Sequence, residues 1–245
     1  MWGGNAENVR RTYPLAVISR VAVLPHPPLL VPELVGGGDR DADAVRAACL
    51  DVARELAAAS PRWTVVGVGQ APATGVGTFR GYGVDVRVTL GDGDGAPDAF
   101  WPLPALIAGW LRERAGAETV DLRLVDPDLD PGSCAELGRA LADGSGALLV
   151  LGDGSHRHGE RAVGKPDDRA GEFDERVAHA LATVDTAALR ALDPALAAEL
   201  GAVGRAPWQV LAGAVDADGR AWQATRSTTL TPFGVAYHLA IWEPA

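Results

Sequence analysis

The chain has 245 residues, 47% hydrophobic and 22% charged, which is enough interior for one α/β domain and too apolar for a disordered segment. Its net charge of -10, with no basic run, argues against nucleic acid and anionic membrane as partners. No run approaches about 18 apolar residues, and no small-residue cleavage site follows Arg10-Arg11, so a cytoplasmic protein is expected.

Residues 1–12 are polar and glycine-containing, and an extension over 1–17 is expected outside the core, leaving one domain over 18–245. Val21 to Leu24 form a short apolar strand that runs into Pro25-His26-Pro27-Pro28. These prolines hold the chain extended and deny it ladder or helix bonding, which pins His26 at a strand end. Residues 39–59 read as a helix with Val45, Ala48, Cys49, Val52 and Leu56 as its buried stripe. Neither Cys49 nor Cys134 belongs to a CxxC, so both are expected as small core residues of a reducing compartment. A second strand, 63–68, opens into the glycine-rich stretch 69–77, which completes neither GxGxxG nor a phosphate loop.

Residues 84–90 alternate as a strand, 103–115 form a helix and 120–125 a strand. Ser133-Cys134-Ala135-Glu136 has the form of a capping box opening a helix over 133–142. Ala147 to Leu151 are apolar without alternation, the pattern of a strand buried on both faces. The chain then breaks into Gly152-Asp153-Gly154-Ser155-His156-Arg157-His158, small and polar residues where open α/β sheets place their binding crevice. Helices are expected over 173–183, 186–192, 194–200 and 206–214, a hairpin-type turn at Asp216 to Gly219, and closing strands over 221–229 and 235–242. The alternation predicts a three-layer α/β/α fold with a mixed, mostly parallel central sheet.

Four of these segments carry a resemblance. Gly152-Asp153-Gly154-Ser155-His156 is similar to the SGDxSH signature of the class III extradiol ring-cleavage dioxygenases, the family of the protocatechuate 4,5-dioxygenase beta subunit. Pro25-His26-Pro27-Pro28-Leu29-Leu30 resembles its PHPPIL opening, Gly171-Glu172-Phe173-Asp174 its GxEFD, and Pro232 to Tyr237 its closing PFGVGY. They fall in the family's order across nearly the whole chain.

The resemblance implies ferrous iron held on one face by two histidines and a glutamate, with a further histidine as acid/base. By that correspondence His26 stands at the first ligand position and His156 at the acid/base position, with Ser155 and Asp153 orienting the imidazoles. The other two ligand positions depart from the pattern. Gln70 is the nearest polar residue to the second histidine, and Leu230 occupies the place of the glutamate.

The expectation is therefore a dioxygenase-fold protein without conventional Fe(II) catechol cleavage, which binds a small aromatic ligand or a partner in a pocket of His26, Gln70, His156 and Leu230. The alternative is an active iron or zinc oxidoreductase of extradiol type, its metal held by His26, His156, His158 and neighbours such as Gln70 or Asp153. A homo-oligomer is compatible with either reading.

Overall fold

The computed structural model describes residues 17–144 and 146–245. The expected N-terminal extension lies, apart from Val17, outside the described residues. A six-stranded sheet runs through the molecule in the order β5-β2-β6-β1-β8-β7. Its strands are β1 (Ile18–Leu24), β2 (Arg62–Val68), β5 (Thr119–Val125), β6 (Gly146–Leu151), β7 (Trp222–Leu230) and β8 (Tyr237–Pro244). β5, β2, β6 and β1 are mutually parallel, whereas β8 is antiparallel to both β1 and β7. The mixed, three-layer architecture read from the sequence is the one observed.

The sheet is covered on both faces because its central strands are apolar on both. Along β6, Ala147, Leu149 and Leu151 enter the core beneath α1 (Arg40–Ala59) and α2 (Leu103–Ala115). Leu148 and Val150 point the other way. There they meet α3 (Pro131–Ala142), α4 (Arg169–Thr183), α5 (Thr186–Arg190), α6 (Pro194–Leu200) and α7 (Arg205–Asp218). Period-two alternation thus assigns neighbouring residues to separate layers.

Helix α1 begins where the Asp39 carboxylate accepts from the Asp41 and Ala42 amides, both at 3.0 Å, and Asp41 and Asp43 complement its positive end. Four local expectations are corrected. Helix α3 starts at Pro131, capped by Asp130, whose carboxylate accepts from the Ser133 amide at 3.0 Å; proline at the first position lets the helix begin before the Ser133 box. The residues expected as a hairpin turn, 216–219, instead end α7, with Gly219 (φ 70°) as its left-handed cap. The expected strand over 84–90 shrinks to β4 (Arg87–Thr89), which pairs with β3 (Val76–Thr78) in a separate two-stranded sheet. The last strand starts at Tyr237 rather than at 235, because Pro232–Gly234 forms a short 3-10 turn.

The close approach of α3 and α7 depends on Gly138. A Cβ there would run into the Val210 carbonyl and the Ala214 amide, both rigid backbone. Gly138→Val should therefore lower the unfolding free energy by about 3 kcal/mol, read as a shifted urea midpoint. An unchanged midpoint would show that the two helices part without cost.

Candidate functional site

The parallel strands β1, β2, β5 and β6 end on the same edge of the sheet, where the chain supplies its chemistry. β1 delivers His26 through Pro25 and Pro27. β6 delivers the loop that begins at Gly152, whose amide donates to the Leu24 carbonyl at 3.0 Å. The His26 amide donates to Asp153 Oδ1 at 2.8 Å, so the two strand ends are joined side chain to main chain.

On the α1 side of the sheet a polar group collects around Asp153. The His26 ring is buried, with Nδ1 at 3.8 Å from Asp153 Oδ1 and no hydrogen-bond partner among the described residues. Burial, reinforced by the Asp153 charge, pushes the Cys49 thiol well above its ordinary range. Burial pushes the Tyr237 phenol upward in the same way, with Asp153 and Cys49 adding to the effect. Both groups stay protonated, so the Asp153 charge acts on a neutral thiol and a neutral phenol on this side of the sheet. Leu230 pairs with Tyr237 across β7 and β8 and packs on this same side. A cavity of about 340 Å³ lies beside Leu230, Val45, Phe233 and Arg161. Val45 lies on α1 one turn before Cys49, and Leu230 pairs with Tyr237, so the cavity is on the same side of the sheet as the Asp153 group, although none of His26, Asp153, Cys49 and Tyr237 lines it.

On the opposite side lies a second polar group, centred on the buried carboxylate of Asp174 in α4. It accepts from the Ser155 amide at 3.1 Å, from His158 Nε2 at 2.7 Å and from His238 Nε2 at 2.8 Å. An ionised carboxylate only accepts, which makes both Nε2 atoms donors and leaves His238 Nδ1 to accept from Thr229 Oγ1 at 2.9 Å. Trp208 meets the His238 ring edge-on, with centroids 5.6 Å apart. Gly154 passes so close beneath this group that a Cβ would strike the Asp174 carboxylate, Ala236 and His238. Gly154→Ala should displace the 153–158 loop and cost about 2 kcal/mol, with His158 and His238 ring resonances shifting in NMR spectra; unmoved resonances would contradict the packing.

The residues singled out in the sequence divide between these groups. Asp153 and His26 come together. His156 does not join them: its ring lies over Gly201, at the left-handed end of α6, on the far side of the sheet from Cys49 and Tyr237. Its pKa is lowered by burial and then by the Arg157 charge, which favours the neutral imidazole. Ser155 is committed elsewhere, its hydroxyl donating to the Leu200 carbonyl at 3.0 Å and accepting from the Arg157 amide at 3.1 Å. It does not orient His156. Gln70 is also corrected. It is exposed and donates to Asp126 Oδ2 at 2.5 Å at the end of β5, so it turns toward the sheet edge rather than toward His26. His158 is bound to Asp174 and not placed with His26.

The donor set does not fit a facial iron triad. The one carboxylate shown beside His26 is already bonded to a backbone amide, and Leu230, on the same side of the sheet, offers no donor. Among the described residues, no group of three or more His, Cys, Asp and Glu could hold a metal ion.

In architecture the chain is similar to uncharacterized protein JW3007 from Escherichia coli K12, with a TM-score of 0.52 and 16% identity, covering 92% of this chain and 99% of that one. At that identity the likeness concerns the fold alone. No protein-family model and no curated protein matches the chain. Among the described residues, no helix is long and apolar enough to cross a membrane.

Asp174, His238, Tyr237 and Cys49 were not singled out as site residues from the sequence. One signal for Asp174 was present: Ala170, Phe173, Asp174, Val177 and Leu181 share the buried stripe of α4, and a carboxylate there demands buried partners.

Proposed function

We propose that this protein has an extradiol-dioxygenase-like fold and binds a small aromatic ligand without ferrous-iron ring cleavage. The observation that carries the reading is His26. Its Nδ1 is buried and unpartnered among the described residues, 3.8 Å from Asp153 Oδ1. An imidazole nitrogen left unbonded in the interior costs free energy unless a ligand or water satisfies it.

The surroundings suit a phenol or an aromatic carboxylic acid. Leu230, Val45 and Phe233 offer apolar surface, and Arg161 stands at the rim as a cation. A cavity of about 150 Å³ already accepts a benzene ring, so about 340 Å³ has room for a substituted one. A leucine at position 230 favours such a ligand over a metal, since it supplies contact area and no donor atom.

Calorimetry with catechol, protocatechuate and benzoate tests the reading. At least one should bind saturably, and His26→Ala should weaken it about tenfold while Val45→Trp abolishes it. Protein reconstituted anaerobically with ferrous iron should show no catechol-dependent oxygen uptake. Sustained uptake would instead support the alternative of an active metal-dependent oxidoreductase. Absence of binding by all three compounds would end the aromatic-ligand reading.

A further inference from the structure

A further cavity is lined by none of the residues of the two polar groups, although it borders α4 on either side of Asp174. It is a groove of about 710 Å³ between α4, α5 and α6. Its floor is apolar: Phe173 is fully buried beneath it, and Leu192, Leu196 and Ala188 complete the surface. Its rim is charged, with Glu172 and Glu175 from α4 and Asp193 from the start of α6 facing a single guanidinium, Arg176. Neither Glu172, Glu175 nor Arg176 forms a salt bridge among the described residues. The nearby cations are engaged elsewhere, Arg169 with Asp167 and Glu199, and Arg190 with Asp216.

The geometry points to a binding site for a small organic cation with an apolar body, such as an aryl-alkyl amine. The volume lies in the range of small-molecule sites, and the floor supplies the contact area that such a body needs. The carboxylate excess selects the sign of the head group. Glu172 and Glu175 lie one turn apart on α4, beside Phe173, so a head group over that turn meets both acids while its body follows Leu192 and Leu196. Asp193 is already bonded to the Ala195 amide at 2.9 Å and acts only as a distant charge. The net charge of -10 adds a field that draws cations and repels anions. A carboxylate ligand would face that field with only Arg176 and the His179 imidazole, both on α4, to receive it.

The test uses the full chain and three matched probes: 4-phenylbutylamine, 4-phenylbutanol and 4-phenylbutyrate, titrated by calorimetry. The amine should bind about tenfold more tightly than the alcohol, and the carboxylate more weakly than either. The double variant Glu172→Gln/Glu175→Gln should erase the amine's advantage while leaving the alcohol's affinity in place. Ala191→Trp, at an exposed lining position, should fill the groove and remove binding of the amine and alcohol without lowering Tm. Equal affinity for all three probes, an amine affinity unchanged in the double variant, binding that survives Ala191→Trp, or no binding of the amine would each overturn the proposal.

Discussion

Asp174→Ala is expected to lower the unfolding free energy by about 4 kcal/mol, roughly 12 °C in Tm, the largest effect of any single substitution considered. The alanine would leave three donors without their acceptor, the buried His238 Nε2 and Ser155 amide and the half-buried His158 Nε2. It would also open a void beneath Gly154. Asp174→Asn keeps the volume and one acceptor but turns an NH2 group toward one of the two Nε2–H donors. His158 is half-buried and can turn its ring toward water, so the amide should cost about half as much. Thermal and urea unfolding measure both variants. An alanine variant as stable as the parent would mean that the three donors find other partners, and the account of this group would fail.

Arg205→Ala should cost about 3 kcal/mol, for a different reason. Arg205 is 3% exposed and has no carboxylate within salt-bridge distance among the described residues. Its guanidinium instead donates to the carbonyls of Pro127 and Leu129 and to Gln209 Oε1, fastening the segment after β5 to α7. Truncation would leave the buried Gln209 Oε1 and the two part-buried carbonyls without their donor and open a void at the guanidinium. Arg205→Lys should recover part of the loss, since an ammonium keeps the charge and three donors but not the planar fork that spans two carbonyls and a side chain. Equal losses for the lysine and alanine variants would show that the charge itself contributes little.

The layers of the fold were legible because they follow from local periodicity. The unbroken apolar run of β6 and the buried stripe of α1 each announce how many faces are covered. The convergence of His26 and Asp153 was legible for the same reason, since parallel strands must end on one edge. What was hidden depends on which way a side chain leaves a strand or a loop. Gln70 follows β2 immediately, yet nothing in its neighbours indicates that Asp126 at the end of β5 will claim it. His156 and His158 share a short segment, but one packs on Gly201 and the other bonds to Asp174. The Asp174 group joins α4, the loop after β6, β7 and β8, positions far apart in the chain. Only the polar residue inside an apolar stripe hinted at it.

Tyr237 and His238 are consecutive on β8, yet the pleat sends one to the Asp153 group and the other to Asp174. The sheet therefore works as a partition between two compartments built from adjacent codons. A substitution around His26 or Leu230 can therefore alter one compartment while the clamp that holds the loop on the other side stays intact. The parts that keep the loop folded and the parts around His26 are free to vary independently.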